Sequence, residues 1–129
     1  FKLLVASIEQ SVVVTRDGVA DLTLPALLAT SSLGDEVVSG PRRALFEQLL
    51  ASSATGWQAQ DRLHCHAWPD RRQISVLMSR HDACTVSRTE IVITRDRSEL
   101  RYAAIVDGWP AGVAVPAVQL THRRAAAAA

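Results

Sequence analysis

The chain has few cysteines, few aromatic rings and almost no net charge, and each shortage removes a class of function. Cys65 and Cys84 are the only two cysteines in 129 residues. That is too few for the bridges that hold small secreted domains, so a reducing, cytoplasmic setting is expected. Aromatic residues make up 5% of the chain, and Trp57, Trp68 and Trp109 are too dispersed to form the stacking platform that single-stranded nucleic acid requires. Fourteen basic residues offset thirteen acidic ones, leaving a formal net charge of +1. No overall field therefore recruits nucleic acid or an anionic membrane, and the basic pairs Arg42-Arg43, Arg71-Arg72 and Arg123-Arg124 read as solvated surface. No apolar run approaches the ~20 residues of a membrane-spanning helix. A Gly-x-Ser-x-Gly nucleophile elbow is missing as well, so Ser, His and Asp cannot be assigned to a triad.

What is present is an ordinary globular composition, 48% hydrophobic and 21% charged, sufficient for one domain or part of one. Phe1 to Ser7 and Ser11 to Thr15 read as a hairpin, and Arg16-Asp17-Gly18 is a strong turn signal before an extended Val19 to Thr23. Leu27 to Ser31 is a further short strand candidate. Helical spacing of Leu45, Phe46, Leu49 and Leu50 predicts one main amphipathic helix from Pro41 to Ser52, with Pro41 in the first position and Ser39 capping. Ser53 to Gln60 reads as a loop around Gly56 or the start of a second helix.

The stretch Gln73 to Thr94 is predicted to organise the rest. Ile74 to Met78 and Ile91 to Thr94 are apolar β-rich runs, and Leu100 to Val106 adds a third, giving a meander against which the helix packs. Beyond Asp107, Gly108, Pro110, Gly112 and Pro116 predict irregular chain. The fold class is accordingly α+β, with residues 1–107 as part of one domain and 108–129 as an irregular tail ending in the low-complexity Ala125 to Ala129. The strand-like start at Phe1 reads as the later part of something longer.

Three clusters carry side chains capable of chemistry. His64 and His66, flanking Cys65, would project from one side of a strand and could chelate a metal with His81 or Cys84; a hydrogen-bonded surface pair is the simpler reading. His64-Cys65 followed by Arg71 fits the bare spacing of a tyrosine phosphatase loop. However, Pro69 removes an N–H, Asp70 repels a dianion and Trp68 is bulky where glycine is needed. Arg88, between Ser87 and Thr89, reads first as an exposed cross-strand partner of a carboxylate such as Glu90 in a neighbouring row. Cys84 reads as a small packed residue. The composition calls for no cofactor.

The order of segments resembles the second half of the NRDE family, also called the transport and Golgi organisation protein 2 family. The matching pieces are Phe1-Lys2-Leu3-Leu4-Val5-Ala6, Leu28-Ala29-Thr30-Ser31-Ser32, and Arg42 or Arg43 leading into Ala44-Leu45-Phe46. Thr85-Val86-Ser87-Arg88-Thr89 followed by Ile91-Val92-Ile93 completes them. The resemblance implies part of an αββα sandwich of the N-terminal nucleophile hydrolase type. It also implies a catalytic cysteine encoded ahead of Phe1, and a site shaped partly by Ser87, Arg88 and Thr89. The expected activity is acyl transfer or amide hydrolysis, with non-catalytic binding of a small ligand, haem or lipid, as the alternative and metal binding through His64, Cys65 and His66 as a third reading. A homo-oligomer would follow from an open strand edge.

Overall fold

Arg16 and Asp17 close a two-residue turn, and Gly18 follows at φ +137°, a conformation that side-chain-bearing residues rarely adopt. This turn fixes the first sheet: β1 (Lys2–Ala6), β2 (Ser11–Thr15) and β3 (Gly18–Asp21), antiparallel in that order, with Leu4 opposite Val13 and Val14 opposite Val19. The structure, a computed structural model, describes residues 2–106 and 109–121; the alanine stretch Ala125 to Ala129 lies outside them. Leu27 to Ser31 has no strand pairing.

Helix α1 spans Asp35–Ser52 and passes through Pro41. The sequence placed its start at Pro41; the chain instead begins the helix six residues earlier. Asp35 and Glu36 complement the positive end of the helix dipole. Val38 is completely buried, which anchors the added turns. Ser39 does not cap: its hydroxyl donates to Asp35 O at 2.6 Å. Gly34, at φ +99°, leads the chain in. The second helix, α2 (Gly56–His64), is capped by Thr55, whose Oγ1 accepts from Gln58 N, while Gln58 Oε1 accepts from Ala54 N.

Phe46 and Leu49 of α1 meet Ala59 and Leu63 of α2, with Leu27, Leu45, Leu50 and Val76 around them. The apolar stripe of the main helix thus packs on a second helix, where the sequence suggested the meander. The connection from α2 onward is a folded loop rather than a strand. Residues Arg72–Ile74 form a single 3₁₀ turn, and only Ser79 and Cys84 pair as an isolated bridge. Ile74 to Met78 is apolar enough for a strand, but the carbonyls of Ile74 and Ser75 accept from Arg42 Nε and Nη2 at 3.0 and 2.7 Å. Ser75, fully buried, accepts from Trp68 N and donates to Arg71 O through its hydroxyl. With those groups satisfied by side chains, no neighbouring strand is needed.

The second sheet is antiparallel β4 (Ser87–Ile93), β5 (Arg97–Val106) and β6 (Trp109–Thr121), in that order. Of the irregular chain expected beyond Asp107, Trp109–Thr121 is instead an edge strand. Prolines are tolerated there because one side of an edge strand needs no ladder donor, and the register absorbs the extra residues. Pro116 and Ala117 bulge between the pairs Tyr102–Val115 and Leu100–Val118, and Ala111 to Val113 bulge between Ile105–Pro110 and Ala103–Ala114. Opposed residues share a face. One face carries Arg88, Glu90, Arg101 and Glu99; the other carries Thr89, Ile91, Leu100, Tyr102 and Val118. The charged face turns toward α2, and the apolar face stays open, with Ile91 60% and Val118 57% exposed. Leu3, Leu4 and Val5 of the first sheet are about half exposed too. The class is α+β. No helix among the described residues is long and apolar enough to cross a membrane.

Candidate functional site

Strand alternation separates the three residues proposed to act together. Arg88 faces α2, whereas Ser87 and Thr89 belong to the opposite face. Arg88 Nη1 donates to Asp61 Oδ1 at 2.6 Å and Nη2 to Glu90 Oε1 at 2.7 Å. Burial alone would pull its pKa down; the Asp61 hydrogen bond and the Glu90 and Asp61 charges outweigh that, and the net shift is upward. Arg101 continues the chain of charges, with Nη1 3.9 Å from Glu90 Oε2 and Nε donating to Glu99 at 2.7 Å. Glu90 is a partner of Arg88, but within one strand and with both side chains only 19% exposed, where the simpler reading expected an exposed cross-strand pair. The guanidinium is a clamp between sheet and helix, with its charge already matched by two carboxylates.

His64 and Cys65 come close to the same clamp, since Cys65 Sγ lies 3.9 Å from Arg88 Nη1. They do not sit on a strand: His64 ends α2 and Cys65 is its C-cap. His64 is shifted toward the neutral form, first by burial and then by the Arg88 charge. His66 has left the helix and packs edge-on against Trp68, ring centroids 4.8 Å apart. The strand geometry that would have aligned the two imidazoles is thus missing, and His81 is exposed beside Asp82. Among the described residues no group of three or more His, Cys, Asp or Glu side chains is placed to hold a metal ion. A phosphatase loop is also ruled out by position, because its thiolate needs a helix N-terminus and Cys65 occupies a C-terminus. Arg71 lies over the Trp68 ring at 5.2 Å instead.

A different place in the fold gathers hydroxyls and a guanidinium around a groove. Thr30, Ser31, Ser32, Arg42, Val76, Met78 and Thr85 line an open groove of ≈ 410 Å³ where the segment before α1 faces the folded loop. Arg42 stands four residues after Val38 and four before Phe46, on the buried stripe of α1. The sequence reading placed it on solvated surface; it is half-buried, held by the two loop carbonyls. Burial lowers its pKa. Among the described residues no carboxylate pairs with it. Two of its five N–H donors are engaged by these carbonyls.

The hydroxyls divide by their bonds. Ser31 Oγ accepts from Leu33 N and Ser32 Oγ from Arg80 Nη2, so each keeps its O–H to donate. Thr85 Oγ1 accepts from Met78 N and donates to Val76 O, which makes it a brace for the groove wall. Asp35 fixes the segment by accepting from Ser31 N and from Lys2 Nζ. The Lys2 hydrogen bond first, and the Ser31 bond second, hold its carboxyl below the usual range. Compared with protein-family models, curated proteins and solved structures, the chain matches none.

Proposed function

We propose that this chain binds a small anionic ligand in the groove between Thr30–Ser32 and the Met78–Thr85 loop, without transforming it. The observation that carries this reading is Arg42. Its half-buried guanidinium is held by two backbone carbonyls and has no carboxylate partner among the described residues, so an anion would find an unmatched cation there. Ser31 and Ser32 supply O–H donors beside it. Among the described residues no thiol, imidazole or carboxylate lines the groove, so its hydroxyls have no general base beside them to activate a nucleophile.

Thermal unfolding with sodium acetate or inorganic phosphate tests it. For whichever anion binds, stabilisation should saturate with concentration, reaching roughly 1.4 kcal/mol at ten times Kd. Arg42→Gln should abolish the saturable part. An equal rise in the variant would reduce the effect to general salt stabilisation and remove the proposal.

A second reading has one observation in its favour. Both sheets leave apolar side chains open, Leu3, Leu4 and Val5 on one and Ile91, Leu100 and Val118 on the other. Open faces of that kind suit sheets that meet a further layer, as in the αββα sandwich of the NRDE resemblance. On this reading a cysteine encoded ahead of Phe1 supplies a thiolate that attacks a carbonyl. Sequencing the gene upstream should then reveal an early cysteine, and a first half lacking one removes the hydrolase reading.

A further inference from the structure

We infer that the ligand of the groove is a monocarboxylate carrying a short aliphatic chain, and that a phosphate dianion is the poorer fit. The inference rests on the anion-binding reading and adds the ligand's chemical class. Local charge balance sets the valence. Arg80 Nε lies 3.2 Å from Asp82 Oδ1, an ion pair off the hydrogen-bond line, and Lys2 Nζ is 2.7 Å from Asp35 Oδ2. These two pairs are internally neutral, which leaves Arg42 as the single uncompensated charge at the lining. One negative charge matches it; a second would find no unpaired cation among the described lining residues to offset it.

Donor count points the same way. The free N–H groups of Arg42 with the Ser31 and Ser32 hydroxyls suit the two oxygens of a carboxylate, which accept through about four lone-pair positions. The apolar part of the lining decides the rest. Val76 and Met78 share the groove with Arg42, and Met78 is a flexible thioether suited to an aliphatic chain of variable shape. Val76 is fixed from behind by its packing on the helical pair.

The test is isothermal titration calorimetry of the full chain at pH 7.5 with sodium acetate, sodium octanoate and inorganic phosphate. Octanoate should bind at least about tenfold tighter than acetate, the effect of burying two methylene groups, and phosphate should bind more weakly than either. Met78→Thr should reduce octanoate affinity by a larger factor than acetate affinity, narrowing the gap between the two. Equal affinities for acetate and octanoate, or phosphate binding tightest, would overturn the inference while leaving an anion site in place. No binding of any of the three would remove both readings. The ligand comparison uses the unsubstituted chain, so the outcome does not depend on whether a variant folds.

Discussion

Replacing Leu63 with alanine is expected to lower the unfolding free energy by about 2–5 kcal/mol, the range for emptying a packed leucine site. Leu63 is 3% exposed and stands at the centre of the cluster formed with Phe46, Leu49 and Ala59. The described residues bury few other hydrophobic side chains: Val38 and Ile74 complete that set. Where a whole domain is stable by only about 5–15 kcal/mol, such a loss is a large fraction. Among the described residues neither sheet contributes a fully buried apolar side chain to that set, and Leu3, Leu4, Val5, Val19 and Ile91 are half exposed or more. Trp57, on the same helix but 52% exposed, provides the contrast: Trp57→Ala should change stability by less than about 0.5 kcal/mol. Chemical denaturation of the two variants checks both values, and an unchanged midpoint for Leu63→Ala would mean that the helical pair is not the stabilising core.

The second large effect is expected at Arg88. Arg88→Met removes two charge-assisted hydrogen bonds and leaves Glu90, only 19% exposed, with Arg101 at 3.9 Å as its remaining cation. Loss of about 1–3 kcal/mol follows from the usual worth of hydrogen bonds to charged groups. Arg88→Lys should recover only part of it, since an ammonium cannot span Asp61 and Glu90 as a fork does. The variant should also change the response to pH. Folded His64 has its pKa lowered by burial and by Arg88, so the unfolded chain binds more protons and stability falls as pH drops through about 6.5. Below the folded pKa that loss is complete. Without the Arg88 charge the depression is smaller, so the decline below pH 6.5 should be shallower in Arg88→Met. A steeper decline would contradict the placement of His64 beside the clamp.

Several of these features were legible before the structure. The β-branched run Val12 to Thr15 and the turn signal Arg16-Asp17-Gly18 specify the first sheet, because a two-residue turn fixes the register of the strands it joins. The β4 and β5 runs and the α+β class follow from a period of two. Ile74 to Met78 misled because composition cannot show where backbone carbonyls find donors; here a distant arginine and a serine hydroxyl supply them. The early start of α1 was hidden by Pro41, a residue that more often opens a helix than lies within one. The strand at Trp109–Thr121 was hidden by prolines and glycine that bulges on an unpaired edge accommodate.

The groove was missed for a different reason. Its lining comes from residues 30–32, 42, 76, 78 and 85, which no local spacing connects. One signal was available: Arg42 falls at i+4 from Val38 and i−4 from Phe46, so a cation interrupts the apolar stripe. A charge on a core-facing position calls for a partner, and the partners present are two carbonyls. Ser87, Arg88 and Thr89, by contrast, are adjacent in sequence yet divided between two faces of a strand. The clamp at Arg88 and the groove at Arg42 thus distinguish an arginine whose charge is matched within the fold from one whose charge is not.

The most direct test of this account is the ¹⁵N resonance of the Arg42 guanidinium, followed while sodium octanoate is added to the labelled chain. A saturable shift of the Arg42 Nε signal, with the Arg88 signal unmoved, is the predicted result. An Arg42 signal that stays in place while ligand binding saturates elsewhere would contradict the assignment of the groove as the binding site.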